Sequence, residues 1–374
     1  MEYNEPLLIE LYNLGKDDIE LGELFKVSDR TVERWLKKLR LRGKIGYRMG
    51  KSGKEKNKFK QSEIFPEVQS YLDNAKKVIS ACKDVYSRIT QKSTWDGTKQ
   101  NEDLLVMWSD MHTGMRNTHP KTGKVTYDDK IQQEELGTFV AGIERFANLY
   151  KPVYNIETFY IADLGDNVTN DRIFYGQQME ITCQIGEQIL KCFEYQSQAI
   201  RKLLEIFPKV VMVKLVGNHG RTTDKPLSSE EASSNFEYLL GIMLKERFAN
   251  NPRVQIIVPN SYSYDLNIRG HKYYLTHGNV IKGGTLNSIE HTAQKLALLF
   301  ADEQYDAILI GHFHTALEFL ITPRTKLMVN GCWITGDSFA YNVLKKFSEA
   351  KQIMFSISNK SAIHNEQKID LKWK

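Results

Sequence analysis

Five hydrophobic runs, each broken off by a short polar cluster, constrain this chain more than any other feature. LLVMW runs into Asp110-Met-His112, TFYIA into Gly165-Asp166, and VVMVKLV into Gly217-Asn218-His219. YYL leads to His277-Gly278, and AILI to Gly311-His312-Phe-His314. Short runs rich in Val, Ile, Leu and aromatics that stop at Gly or Asn read as buried strands entering loops. Five strand ends therefore deliver two Asp, one Asn and five His to one rim of a sheet. Divalent ions with mixed nitrogen and oxygen ligands take these residue types rather than Lys or Ser, so the set has the composition of a two-metal site. In Asp110-x-His112 and His312-x-His314, residues two apart point the same way along an extended chain. Each pair can then address one site from a single strand end. Taken singly, an Asp-x-His is more often a capping pair, a Gly-Asp a turn, and a lone His277 a core histidine. It is the five together, in this order, that point to metal.

A length of 374 residues predicts one large domain plus a smaller one, and an apolar fraction of 41% supports a sizeable core. No stretch approaches the length of a membrane span, and the opening MEYNEPLLIEL lacks the basic start of a signal peptide. Cys82, Cys183, Cys192 and Cys332 form no CxxC pair. A reducing, cytoplasmic setting without a cysteine zinc site is expected.

The net charge of +5 is uneven. Residues 1–62 carry 15 Lys+Arg against 10 Asp+Glu, whereas the remainder carries 36 of each sign. Within 30–60 the tally is 13 against 2, a net of +11. An excess this local suggests a polyanion partner, with a solvated basic linker as the alternative. The charge follows a small helical module. Leu7, Leu8, Leu11 and Leu14 recur at helical spacing, with Gly15 as a stop. In Glu20–Arg40 a short helix is followed by a turn at Val27-Ser28 and a second helix. That helix turns Val32, Trp35, Leu36 and Leu39 inward and carries Arg30, Thr31, Arg34, Lys37 and Lys38 on its other faces. The pattern resembles the helix-turn-helix of bacterial and phage DNA-binding proteins, whose second helix enters the major groove. Gly22 fits the close approach of the two helices, and Lys26 departs from the Gly common at that turn. The resemblance implies nucleic acid, specifically DNA, as partner. A helical hairpin for protein contact is the alternative.

Residues 42–61 read as a basic linker and 66–91 as a connecting helix. The expected division is 1–62 for the module and linker, 63–100 for the connection and 101–374 for the catalytic domain. Helices are expected over 129–150, 176–207, 228–248 and 286–300. Strands are expected over 158–162, 210–216, 254–258 and 307–310. A hairpin should turn at Arg269-Gly270, and Ser228 with Glu231 reads as a capping box.

Taken together, Asp110-x-His112, Gly165-Asp166, Gly217-Asn218-His219, His277 and Gly311-His312-x-His314 resemble the motif set of the calcineurin-like metallophosphoesterases, over residues 101–330. The resemblance implies a four-layer αββα sandwich of two mixed sheets, preceded here by the small all-α module. It implies that Asp110, His112, Asp166 and His314 hold one metal. Asp166, Asn218, His277 and His312 would hold the other, with Asp166 bridging. His219 would act as general acid rather than ligand. The expected cofactors are two divalent ions, Mn²⁺ first among them. One departure stands out: where the family usually places an acidic residue after the third-motif histidine, this chain has Gly220.

Two metals sharing a water lower its pKa and aim it at phosphorus, which suits a phosphate ester. Arg116, Arg172 and Arg221 lie close to the clusters and are candidates for holding phosphate. The leading expectation is a DNA nuclease targeted by its helix-turn-helix. The alternative is a protein or nucleotide phosphatase or phosphodiesterase with a regulatory N-terminal module. A regulator that has lost catalysis is disfavoured by the full ligand set.

Overall fold

In a computed structural model, the chain divides into two compact units, Met1–Ser93 and Thr94–Lys374. The structure describes residues 4–45, 70, 73–80, 98–119, 121–224, 231–281, 285–299, 304–336 and 350–372. Most of the basic linker and of the expected connecting helix lies outside the described residues, as do Cys82 and Ser228 of the expected capping box. Residues 73–80 of that connecting stretch are helical.

The first unit holds three helices, α1 (Glu5–Asn13), α2 (Asp18–Phe25) and α3 (Asp29–Leu41). Asp17 and Glu20 form a reciprocal capping box at the start of α2. Leu8, Tyr12, Leu21, Phe25, Val32, Leu36 and Leu39 make its core. Trp35 packs at the edge, its ring 6.0 Å from Phe25 and at right angles to it. Lys26 ends α2 in the left-handed conformation (φ 56°), the geometry a glycine would adopt more readily. A Cβ at Gly22 would lie 2.9 Å from the Val27 carbonyl oxygen, so the small residue is what lets the turn fold back. Arg30, Arg34, Lys37 and Lys38 are exposed on α3, and Thr31 is half-buried, its hydroxyl 3.0 Å from that of Ser28.

The second unit has two sheets. One has six strands: β1 (Gln100–Trp108), β4 (Tyr154–Asp163), β5 (Val210–Lys214), β6 (Val254–Ile257), β12 (Lys351–Ile357) and β13 (His364–Asp370). Their order is β13-β12-β1-β4-β5-β6. The other has five: β7 (Ser263–Ile268), β8 (His271–Thr276), β9 (Ala307–Ile310), β10 (Leu317–Leu320) and β11 (Lys326–Val329), in the order β10-β11-β9-β8-β7. Strands β1, β4, β5 and β6 run parallel, as do β8, β9 and β11, while β12, β13, β7 and β10 pair antiparallel. Both sheets are therefore mixed. A short ribbon, β2 (Asn117–Thr118) with β3 (Val125–Tyr127), lies outside them.

The period-two alternation of the strands sorts side chains into layers. Leu105, Met107 and Val213 of the larger sheet meet Leu275, Leu309 and Met328 of the smaller one in a shared core. The alternate residues Leu104, Val106 and Trp108 face helices α4 (Asp129–Tyr150), α5 (Ile185–Ile206) and α6 (Phe236–Arg247) through Phe139, Ile189 and Leu240. On the far side, Ile308, Ile310, Leu327 and Val329 meet Ile289 and Ala293 of helix α7 (Leu286–Leu299). Each fully buried side chain of this size contributes roughly 1.5–3 kcal/mol of burial free energy. Two mixed sheets flanked by helices form the αββα sandwich.

Two expectations shift. The helix expected from residue 176 begins at Ile185; before it come a single 3₁₀ turn, Gln177–Met179, and a loop bridged to Met115 through Ile181. Among the described residues, the helix expected from 228 begins at Phe236, after a 3₁₀ turn at Ala232–Ser234, where Asn235 caps it through the Glu237 amide. In both cases polar residues bond the loop in preference to continuing the helix.

Candidate metal centre

The five clusters follow the carboxyl ends of β1, β4, β5, β8 and β9. Because these strands run parallel within each sheet, all five ends open on one rim, the edge where open α/β sheets present their sites. The parallel ladder continues into the loops. Asp110 N donates to Gly165 O at 3.0 Å, His112 N to Asp166 O at 3.0 Å, and Thr113 N to Asn167 O at 2.8 Å. Gly311 N donates to His277 O at 2.9 Å, and His312 N to the Asp110 carboxylate at 3.1 Å. The loops of the two sheets are thus joined directly.

Convergence does not come from extended chain. Asp110 (φ 56°), His112 (48°), Asp166 (55°), His312 (70°) and His314 (54°) all occupy the left-handed region. That region costs a non-glycine residue about 1–3 kcal/mol, and such strain concentrates where function demands it. The pairs in Asp110-x-His112 and His312-x-His314 meet because the backbone winds back at each of them. The backbones crowd accordingly. A Cβ at Gly165 would lie 2.3 Å from Gly217 N, and one at Gly217 would lie 2.1 Å from Asp166 Oδ1.

The donor atoms fall into three overlapping groups: Asp110, His112 and His314; His112, Asp166 and His219; and Asp166, His277 and His312. Within each group they lie within 4.8 Å of one another. Asn218 adds its Oδ1, 3.1 Å from His277 Nε2. His277 Nε2 is 2.9 Å from Asp166 Oδ2, and His314 Nε2 is 3.5 Å from Asp110 Oδ1. His112 Nε2 faces His314 Nε2 at 3.2 Å. For these nitrogens to hydrogen-bond, one ring must donate and the other accept, whereas a shared cation would take a lone pair from both. Two of the rings are also held by a backbone carbonyl at Nδ1, His277 by Leu164 and His219 by Thr169, each at 2.8 Å. For His219 this contact fixes the tautomer and leaves Nε2 facing Asp166 at 4.0 Å.

Charge follows from this packing. Burial, with the neighbouring His219 and His314, pushes His112 down to about 3. Burial and the charge of His277 push His312 down to about 3. Both rings are neutral, the form that binds metal. Burial works against the charge on His277 too, but the Asp166 carboxylate outweighs it and holds the ring up to about 9. Burial opposes ionisation of Asp110 and Asp166, yet contact with His314 and His277 respectively keeps both below the usual carboxylate range. Asp166 and His277 thus stabilise each other's charge, in the place where a cation would sit.

The three arginines differ. Arg221 is buried and donates to four backbone carbonyls, those of Thr223, Asn218, Ile173 and Asp224, at 2.9–3.3 Å. It ties two loops together. Arg172 is exposed and paired with Asp171 at 2.7 Å, and Arg116 is exposed beside the rim.

A supporting shell escaped the sequence reading. Glu237, at the start of α6, accepts from Asp166 N at 3.1 Å, Val168 N at 3.3 Å, Gly217 N at 2.6 Å and also Asn167 N. Gln188 Oε1 accepts from Thr169 N and Asn170 N, and Asn170 Nδ2 donates to the carbonyls of His219 and Arg221. Beneath them Lys214 Nζ pairs with Asp163 Oδ2 at 3.0 Å, both side chains fully buried. A signal existed: Gln188 and Gln196 interrupt the apolar face of α5 formed by Ile185, Ile189 and Cys192.

No family model and no curated protein matches the chain. Solved structures give looser likenesses. One is a conserved uncharacterized protein, a predicted phosphoesterase, from Streptococcus pneumoniae TIGR4, at 11% identity and TM-score 0.28, covering 71% of this chain and 97% of that one. Another is wild-type Vps29 of Entamoeba histolytica complexed with Zn²⁺, at 12% identity and TM-score 0.33, covering 72% and 99%. A third is the 5′-nucleotidase of Candida albicans SC5314, at 13% and 0.30, covering 70% and 53%. The chain's own strand order and side chains make it an αββα sandwich with His/Asp candidate metal sites at its rim.

Proposed function

We propose that this chain is a two-metal phosphodiesterase acting on nucleic acid, a DNA nuclease brought to its substrate by the N-terminal module. Asp166 carries the reading, one buried carboxylate that belongs to two donor groups at once. Asp110, His112, Asp166 and His314 would hold one ion, and Asp166, Asn218, His277 and His312 the other. The nitrogen and oxygen donors suit Mn²⁺ and its first-row neighbours. When bound, two such ions supply Lewis acidity at the phosphoryl oxygens and activate water as nucleophile.

The chain's own groups do the rest. Thr169 O engages His219 Nδ1, so proton exchange is confined to Nε2, which faces the cavity and delivers the proton to the leaving alkoxide. Arg116 and Arg172 are the exposed guanidinium groups that would steer phosphate toward the rim. On α3, Arg30, Arg34, Lys37 and Lys38 would grip the DNA backbone, with Thr31 near the bases.

A second reading, a nucleotide phosphodiesterase or phosphatase, is favoured by the cavity itself. It measures ≈ 430 Å³, the size of a small-molecule site. The deciding experiment supplies Mn²⁺ to the protein with duplex DNA, single-stranded DNA, RNA and a small chromogenic phosphodiester. Metal-dependent cleavage of DNA supports the nuclease, and turnover of the small ester alone supports the second reading. No metal-dependent hydrolysis of any member sinks both.

A further inference from the structure

Beside the metal centre, the cavity has a wall that the metal ligands do not explain. Phe174 is 47% exposed, Met179 90%, and Tyr175 between them is fully exposed. All three line the cavity together with His112, Asp166 and His219. Large apolar side chains left in water next to a buried, charged centre need a reason.

The loop holds them there by construction. Gln177 Oε1 accepts from the amides of Ile173 and Phe174, and its Nε2 donates to Thr169 O at 2.6 Å. Arg221 donates to Ile173 O and lies over the Phe174 ring, 5.0 Å from its centroid. Farther along, Arg116 N donates to Glu180 O at 2.7 Å and Thr182 N to Gly114 O at 2.8 Å. The segment is therefore pinned at both ends to the loops that carry His112 and His219. The Phe174 ring sits 5.2 Å from that of His219, so the apolar wall begins where the proposed proton donor ends.

We infer that this wall is a stacking subsite for the nucleobase next to the scissile phosphate. The inference rests on the phosphodiesterase reading above and adds the substrate class: a phosphoester bearing an unpaired base. Aromatic faces with a polarisable thioether beside them suit a planar, π-bearing ring. The cavity beside the candidate metal centre measures ≈ 430 Å³, the scale of a small-molecule site. A base reaching the wall must be free of its partner strand, so the source is either a free nucleotide or a single-stranded end.

The test uses the full chain with Mn²⁺ and phosphorothioate-linked probes carrying 2-aminopurine, whose fluorescence falls on stacking. Three probes are compared: a mononucleotide, a single strand with a terminal 2-aminopurine, and a blunt duplex with the analogue inside. Wild-type protein is expected to quench one or both unpaired probes and not the duplex; which unpaired probe binds more tightly identifies the source. Replacing the two most exposed residues together, Tyr175→Ala with Met179→Ala, should weaken binding about tenfold, the scale of one lost base stack. In parallel, the kcat/KM ratio of thymidine 5′-(4-nitrophenyl) phosphate to methyl 4-nitrophenyl phosphate should fall about tenfold in that variant. Unchanged affinity and an unchanged ratio overturn the stacking wall while leaving the phosphodiesterase reading intact. Quenching that depends on Tyr175, with neither ester hydrolysed, upholds the wall and removes the phosphodiesterase reading instead. Equal quenching of the duplex probe overturns the assignment to an unpaired base.

Discussion

Gly217 N donates to Glu237 Oε2 at 2.6 Å, tying the third-motif loop to the first turn of α6. The same carboxylate accepts from Asp166, Asn167 and Val168, so one buried side chain holds the second- and third-motif loops together. Gly220 lies against this clamp. A Cβ there would lie 2.0 Å from Asn235 Oδ1 and 2.6 Å from Glu237 Cγ. The space beside Gly220 is filled by the side chains of Asn235 and Glu237.

Glu237→Gln should therefore loosen both loops. It replaces an acceptor-only group with one that turns an amide N–H toward backbone donors. A loss of about 2–4 kcal/mol in urea unfolding is expected, with reduced turnover of a chromogenic phosphodiester. Wild-type stability together with wild-type turnover would show that Glu237 is a bystander.

Asp166 stands in two of the three donor groups. Asp166→Asn should abolish turnover and lower metal content measured by elemental analysis. A variant that keeps full activity and two bound ions would remove the bridging role.

His219→Ala should behave differently, since its Nδ1 is engaged by Thr169 O and its proposed part is proton delivery. Both metals should remain. Turnover of esters with alkoxide leaving groups should fall by roughly 10²–10⁴-fold, and nitrophenyl esters should suffer less because that leaving group needs no proton. An equal loss on both substrates argues against the acid role.

Deleting residues 1–62 should spare hydrolysis of a small phosphodiester, since every proposed ligand lies beyond residue 100. Cleavage of long DNA at low protein concentration should drop, because tethering raises local concentration. DNA binding by the whole chain should weaken steeply with salt as counterions are released. If truncation changes neither rate and binding is insensitive to salt, the nuclease reading loses its main support.

Much of this was legible in the sequence because it is local. Runs such as LLVMW and AILI announce buried strands, and the Asp, Asn and His that follow them announce coordination chemistry, whatever the rest of the chain does. The hairpin at Arg269-Gly270 and helix α4 were readable for the same reason: their signals sit within a few residues. What only the tertiary structure decided depends on distant backbone. Asp110-x-His112 converges through left-handed turns, a conformation stabilised by hydrogen bonds from loops more than fifty residues away. Arg221 beside a motif looked like a phosphate ligand, yet four carbonyls gathered from two loops bind its guanidinium. Glu237 read as an ordinary acid in a first helical turn, and only the approach of Gly217 and Asp166 makes it the clamp of the site. A side chain's chemistry is written at its own position, whereas its partners are set by which strand ends the sheets bring to one rim.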